Sequence, residues 1–440
     1  MAGTYRYWIL SMIMFMMMIN FIDRGAISYA QAAIISEFQL DVQSWGQVLG
    51  FFGYGYMVGG LLGGLLSDLK GPKYVWVLAG AGWSIFAIAT AFAGDIGVAL
   101  FSGSALAGFA VIRIMFGLFE APVFSANNRI IANWVAPAER GFCSSLLLVG
   151  PPIGSLLTAP ISVALLYFFD WRMMFVILGV IGLIWVFFFN RMFTNRPEDH
   201  PKVSAAELQA IRTREGLLAT EVTLEESEKK KATFLDFFKN PTLLCNTISF
   251  FAFQYVNFML LLWTPKYLQD VYHFELSSLW YLGMIPWIGP CFTVLLGGKI
   301  SDYLRKKTGS LRIARPGVII TSLLLTSICF LLIPTVDSVA MVMLLIAVGN
   351  SFNFITNSIF WTIIVDTEPA KVGTFSGITH FIVNIATVTA PVLTGSLVAL
   401  YGYSAMFLGA AVAAFVGVVA MIFVKPGRQT PVTPGHNPSV

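Results

Sequence analysis

Asp23 and Arg24 stand side by side inside the apolar run YWILSMIMFMMMINFIDRGAISYA, and Arg113 and Glu120 stand seven residues apart inside LAGFAVIRIMFGLFEAPVF. Seven residues is close to two helical turns, so Arg113 and Glu120 share one helix face. An Asp or Arg near a bilayer centre costs roughly 2.5–3.5 kcal/mol on insertion scales, and the four together about 10–14 kcal/mol if left apart. Buried ion pairs stabilise poorly compared with apolar packing, so structure alone is a weak reason to keep them. Their chemistry supplies a better one. A guanidinium binds a carboxylate bidentately, and a carboxyl in a low-dielectric cavity can exchange a proton at working pH. Glu120, flanked by GLF and APVF, is the expected proton carrier. Asp23 is expected to keep its charge beside Arg24 until that partner is engaged elsewhere.

The elements that position these groups are legible from hydropathy. Of 440 residues 57% are hydrophobic and 11% charged, with a mean hydropathy of +0.77; a soluble chain of this length needs far more charge on its surface. The apolar residues fall into about twelve runs of about 20, each long enough to cross a bilayer as a helix. We place them at 8–30, 45–67, 74–94, 101–125, 141–165, 173–190, 243–265, 278–301, 317–334, 338–364, 373–399 and 402–424. The fold class is therefore an all-α membrane protein with twelve transmembrane helices. The first run lacks a small-residue cleavage site and reads as a retained helix. The four cysteines have no metal-like spacing and read as packing residues.

Lys and Arg are sorted by side. Of the 27, 22 lie in the N-terminus, the even-to-odd loops and the C-terminus, including Lys70, Lys73, Arg129, Arg140, Lys371 and Arg428, while the opposite loops hold Arg172 and Lys266. By the positive-inside rule both termini are cytoplasmic. This sorting accounts for the net charge of +4 without a nucleic-acid partner.

One long polar stretch, 194–240, divides the spans six and six, so the expected organisation is a first half at 1–193, a cytoplasmic linker at 194–240, a second half at 241–425 and a tail at 426–440. Within the linker, Ser204 and Glu207 form a capping box that opens a short surface helix over AAELQAIRTREGL; we read the linker as a connector. The halves repeat: GGLLSDLKGPK closes the second span and GGKISDYLRKK the eighth, with Gly64 and Gly298, and Asp68 and Asp302, each 234 residues apart. Two six-span halves in one orientation make a parallel internal repeat. Gly64, Asp68, Lys73, Asp302 and Arg305 are the candidate gating residues of these loops.

With Gly64…Asp68…Gly71-Pro72-Lys73 the chain resembles the major facilitator superfamily, whose loop signature runs G-x-x-x-D-x-x-G-[RK]-[RK]. The second half keeps Gly298 and Asp302, has Arg305 where the later Gly is expected, and adds Lys306-Lys307. FIDRG and IRIMFGLFEAPVFSANNRIIANWVAPAERG are similar to the anion:cation symporter family within it, and most to its bacterial galactonate and glucarate branch. The resemblance implies carboxylate binding by Arg24 and Arg113 and proton coupling by Asp23 and Glu120. It also implies a bacterial inner membrane. Two positions depart from that branch: Pro151 replaces the polar Gly-Gln pair of the fifth span, and His380 replaces an Asn of the eleventh. Pro151-Pro152 is expected to break its helix beside the cavity.

The second half carries uncharged polar stripes. Asn350, Asn353 and Asn357 repeat at i, i+3, i+7 with Trp361 one turn on; Gln254 and Asn257 precede Trp263 and Tyr267; His380 and Asn384 stand at i, i+4. Such stripes either bond neighbouring helices or read hydroxyls. We take Gln254, Asn353, Asn357, Trp361, His380 and Asn384, with Tyr54 from the first half, as substrate contacts. The functional expectation is proton-coupled uptake of an organic anion, a sugar acid such as a hexonate or hexarate, by alternating access in a monomer. An anion exchanger or aromatic-acid carrier on the same scaffold is the alternative, against which the titratable Asp23 and Glu120 weigh. No cofactor is called for. Catalytic motifs such as His-Glu-x-x-His, Gly-x-Ser-x-Gly or a P-loop are lacking, which argues against an enzyme, and no ATP-binding segment supports a pump.

Overall fold

The computed structural model describes residues 5–136, 139–211, 234–368 and 371–427. Twelve helical spans are long and apolar enough to cross a bilayer: Tyr5–Phe38, Val42–Ser67, Pro72–Thr90, Ala105–Trp134, Leu146–Phe168 and Trp171–Met192, then Pro241–Tyr272, Leu276–Thr308, Ile313–Thr335, Val339–Thr367, Val372–Tyr401 and Tyr403–Ile422. The protein is an integral membrane protein. Several spans start where the sequence places a capping side chain. Asp41 accepts from Ser44 N at 2.6 Å, Asp170 from Met173 N at 2.7 Å and Asn240 from Thr242 N at 3.0 Å, each satisfying a donor the helix cannot.

The two halves are built alike. A Cβ at Gly55 would strike the Ile114 carbonyl oxygen and one at Gly63 would strike Pro122; 234 residues on, Gly289 lies against Ser351 and Gly297 against the Ile355 carbonyl. In each half the second helix is thus notched onto the fourth at backbone contact, the geometry that small residues permit in lipid.

Several spans are not single helices. The first breaks after Ala26 and resumes at Gln31, the fourth is split at Ala121, the tenth at Thr356 and the eleventh between Val383 and Ala386. Pro122 and the carboxyl of Glu120 stand at the break in the fourth. The fifth span, by contrast, continues from Arg140 to Phe168 through Pro151, Pro152 and Pro160. The expected break at Pro151-Pro152 is therefore absent; Gly150 and Gly154 bring the helix against the backbone of Met14 and Met18, and this packing carries it past the prolines.

The halves meet at one end. A Cβ at Gly46 would lie 2.9 Å from the Pro391 carbonyl and 3.1 Å from Gly395 Cα, Gly50 and Gly53 lie against Val388 and Thr387, and Gly283 meets the Tyr29 hydroxyl. Ser28 Oγ donates to Leu261 O at 3.3 Å and Gln31 Nε2 to Gln269 Oε1 at 3.0 Å. The opposite end, which bears the basic loops, has no hydrogen bond between halves among the described residues, and Gly373 and Gly377 face open space there.

The first part of the linker is docked on the first half. His200 stacks on Tyr5 at 4.3 Å, Trp134 Nε1 donates to Thr194 O at 3.2 Å, and Asn195 Oδ1 accepts from Lys73 N at 2.9 Å. Ser204 Oγ accepts from Glu207 N at 3.2 Å, opening a helix over Ala205–Ile211; the rest of the expected helix, from residue 212, lies outside the described residues. The Glu207 carboxylate does not turn back to close the box. Fully buried, it accepts from Arg6 N at 3.0 Å and Tyr5 N at 3.4 Å and so caps the first span. Replacing Glu207 with Ala is expected to lower the thermal midpoint by the equivalent of about 1 kcal/mol, and Ser204→Ala by less. Burial holds the His200 imidazole below its ordinary value. The docked form thus binds a proton less readily than the free one, so the dock is firm above about pH 6.5 and weakens as the pH falls through it.

Candidate functional site

The helix breaks bring the charged residues together. Arg24 lies in the last turn of the first helix segment, where the helix dipole favours a cation, and Glu120 is the last residue before the break of the fourth span. Arg24 Nε donates to Glu120 Oε1 at 2.8 Å, and Arg24 Nη2 forms an ion pair with the same oxygen. Both side chains are buried. Arg24 Nη2 also reaches Asn20 Oδ1 at 3.4 Å. Its guanidinium is boxed by aromatic faces, with Phe21 at 4.4 Å, Tyr56 at 4.7 Å, Phe52 at 4.9 Å and, from the second half, Phe258 at 5.5 Å. Such faces add attraction for a cation.

Among the described residues the other two charged side chains form no ion pair. Arg113 is 1% exposed; its Nε and Nη2 have no hydrogen-bond partner, and among the described residues it forms no ion pair. It lies over Phe52 at 5.4 Å and Phe116 at 5.2 Å, beside the Arg24–Glu120 pair and on the same aromatic wall. Asp23 is equally buried and neither carboxyl oxygen has a hydrogen-bond partner; its neighbours are Glu120 and the Trp83 indole. Arg24 is thus engaged with Glu120 rather than with Asp23. Consecutive helical residues diverge by about 100°, so the two neighbours face different helices.

The second half contributes a smaller set than the sequence suggests. Asn350 Nδ2 donates to Pro286 O at 2.9 Å and Asn353 Nδ2 to Phe253 O at 3.2 Å. The Asn353 amide nitrogen thus joins the tenth span to the seventh, while its Oδ1 has no hydrogen-bond partner among the described residues. Past the break at Thr356, Asn357 and Trp361 are half-buried. The His380 ring sits with Trp361 at 6.4 Å, Tyr56 at 6.3 Å and Phe124 at 6.2 Å, and Asn384 Nδ2 reaches its Nδ1 at 3.1 Å. Gln254 is half-buried on the seventh span, and Asn257 is buried with Oδ1 unpartnered. Tyr54 lies on an exposed face of the second span. It is 52% exposed and heads an outward stripe with Val58, Leu61, Leu65 and Leu69, whereas Tyr56, two residues on, is 3% exposed and faces Arg24. Three further site residues are not among those the sequence patterns single out: Asn20, although its i−4 spacing from Arg24 is visible, and Trp83 and Phe52, which carry no polar pattern.

Of the loop residues, Gly71 adopts φ +83° and a Cβ there would collide with the Asn195 amide, which fixes that position as Gly; Lys73 is held by its backbone N–H. The side chain of Asp68 lies outside the described residues. Gly64 faces Ser125, with a Cβ there 3.9 Å from its hydroxyl. In the second half Arg315 Nη1 pairs with Asp302 at 2.8 Å and its Nε with Asp366 at 3.0 Å. Arg305 lies 3.8 Å from Asp366.

Comparison with known proteins agrees with this architecture. Residues 13–387 match the model of the Major Facilitator Superfamily. The chain is 29% identical to the hexuronate transporter of Bacillus subtilis (strain 168), over 96% of this chain and 95% of that protein. It is 30% identical to the probable galactarate/D-glucarate transporter GarP of Escherichia coli (strain K12), over 95% and 94%. A bacterial homologue of the human lysosomal transporter Spinster, solved in an inward-facing and unoccupied conformation, superposes with a TM-score of 0.69 at 18% identity, covering 96% of this chain and 95% of that one.

Proposed function

The chain belongs to the major facilitator superfamily and is a transporter rather than an enzyme; on that footing we propose that it takes up a sugar acid, such as a hexonate or hexarate, together with protons. The observation that carries this reading is Arg113, a buried guanidinium with two donors left open, beside an arginine already matched to Glu120. A carboxylate arriving with the solute is the natural ligand of the open donors. Protonation of Glu120 would release Arg24 to the same carboxylate, and Asp23, buried without a hydrogen-bond partner, is the second proton carrier. The names of the relatives, a hexuronate and a galactarate/D-glucarate transporter, support a sugar acid as the solute.

Positive-inside sorting supports cytoplasmic termini, with the closed end as the outer one. Rocking of one six-helix half against the other around the midplane site then gives alternating access, with Asp302, Arg305, Arg315 and Asp366 latching the inner loops. Each chain encloses a whole site, so the monomer is the working unit, and the bacterial relatives support an inner membrane as its place. In proteoliposomes with an alkaline interior, labelled hexonates or hexarates are expected to accumulate above the outside concentration and neutral hexoses not to. Uptake of neutral hexoses, or acid flux indifferent to the pH gradient, would overturn the reading.

A further inference from the structure

Asn20 follows the apolar run MIMFMMMI and stands one turn before Arg24, which puts the two side chains on one face of the first span. It is fully buried. Its Oδ1 accepts from Arg24 Nη2 at 3.4 Å, a long and therefore weak bond, and its Nδ2 has no hydrogen-bond partner. The amide is also a neighbour of the Glu120 carboxyl. Arg24 Nε and Nη2 both engage Glu120 Oε1, and Glu120 Oε2 has no partner either. A donor and an acceptor thus stand free beside one ion pair, where a buried polar group left unbonded is costly. Both are open to new partners when the pair separates.

An amide donates and accepts, and the two capacities match the two states the pair must visit. With Glu120 ionised, Asn20 Oδ1 holds Arg24 from one side. Once a proton has bonded to a Glu120 oxygen, the carboxyl is neutral and its O–H needs an acceptor, which a guanidinium cannot be. Arg24 turns to the carboxylate of the solute, which meets its charge, and Asn20 Oδ1 is released at that moment. We propose that Asn20 is a positioning residue for proton coupling: it steadies Arg24 while Glu120 is charged and takes over the Glu120 carboxyl when a proton frees Arg24. The inference rests on the proton-coupled reading above and adds to it the group that satisfies the protonated state. The charged and titratable groups around Glu120 are Arg113 on its own span, Asp23 and Arg24 on the first and Tyr56 on the second, with the His380 ring of the eleventh beyond Tyr56. Of these, Asp23 and Tyr56 are the rival acceptors.

The test reads initial uptake of labelled hexonate or hexarate into proteoliposomes against outer pH, in the wild type, Asn20→Leu and Asn20→Ser. Leucine keeps the size and removes both hydrogen-bonding capacities. The protonated state then carries an unmet O–H, whereas the ionised state loses only the 3.4 Å bond. The pH of half-maximal uptake is therefore expected to fall by about one unit, so that about tenfold more protons are needed. Asn20→Ser, which keeps an acceptor on a smaller side chain, is expected to fall by about half as much. Each variant must keep the wild-type thermal midpoint; should Asn20→Leu lose the fold, the shift in Asn20→Ser carries the test. A folded Asn20→Leu with the wild-type pH profile overturns the inference, and Asp23 or Tyr56 then serves Glu120. Uptake reduced alike at every pH in the folded variants also overturns it, and makes Asn20 a packing residue. If uptake by the wild type is itself indifferent to outer pH, the symport reading fails, and that result is distinct from the others.

Discussion

Replacing Arg113 with Met is expected to abolish uptake while making the empty protein more stable. The guanidinium is buried with Nε and Nη2 unpartnered, so in the solute-free state its desolvation cost is offset only by the nearby Glu120 charge and the Phe52 and Phe116 faces. Replacing whole buried ion pairs or triads with apolar side chains of similar volume is often neutral or stabilising by about 1–4 kcal/mol, and a guanidinium without a hydrogen-bonded partner has less still to lose. Solute binding moves the other way: losing a buried, charge-assisted partner of a carboxylate costs about 2–5 kcal/mol, a factor on the order of a hundred or more in affinity. A higher thermal midpoint with lost uptake is the signature of a residue kept for its ligand. A lower midpoint would mean that Arg113 is a structural ion-pair member, and the binding role would fall. Arg24→Met provides the contrast, since it strands the Glu120 carboxylate and is expected to destabilise the protein.

The second large effect is on coupling. Glu120→Gln keeps an oxygen able to accept from Arg24 Nε, which the wild type does at 2.8 Å, but the amide cannot take up or release a proton. Concentrative uptake driven by a pH gradient is expected to vanish, while counterflow of labelled acid against unlabelled acid persists, because counterflow needs the site and the rocking motion but no proton movement. If Glu120→Gln still concentrates the acid, Glu120 is a register residue and the coupling group lies elsewhere.

Features dictated by lipid are legible in the amino-acid sequence itself. A segment of about 20 apolar residues has one stable form in hydrocarbon, so the twelve spans and the 234-residue repeat follow from hydropathy and from Gly64, Asp68, Gly298 and Asp302. Which of two polar neighbours faces inward is not legible there. Tyr54 and Tyr56 differ by two residues, hence by about 200° around the helix, and only the packing of Gly53 and Gly55 on two different helices decides between them. Asn353 and Asn357 share one stripe, but the interruption at Thr356 lies between them, and the first is claimed by the Phe253 carbonyl. The partner of Arg24 is hidden for a related reason. Adjacency in sequence suggests Asp23, whereas the break before Pro122 delivers Glu120 from 96 residues away. Glu207 reads as a local cap of its own helix, yet a buried carboxylate will bond whichever free donors it meets, and those belong to Tyr5 and Arg6.

Joint passage of an acid and protons is tested most directly by proton entry into proteoliposomes holding a pH-sensitive dye. Hexonates, hexarates, aromatic acids and neutral sugars are added outside in turn. Symport predicts internal acidification with the sugar acids, none with neutral sugars, and none in Glu120→Gln. Labelled sugar acid exchanging across the membrane with no change in internal pH would contradict it, and would make the protein an exchanger with Asp23 and Glu120 as gate or register residues.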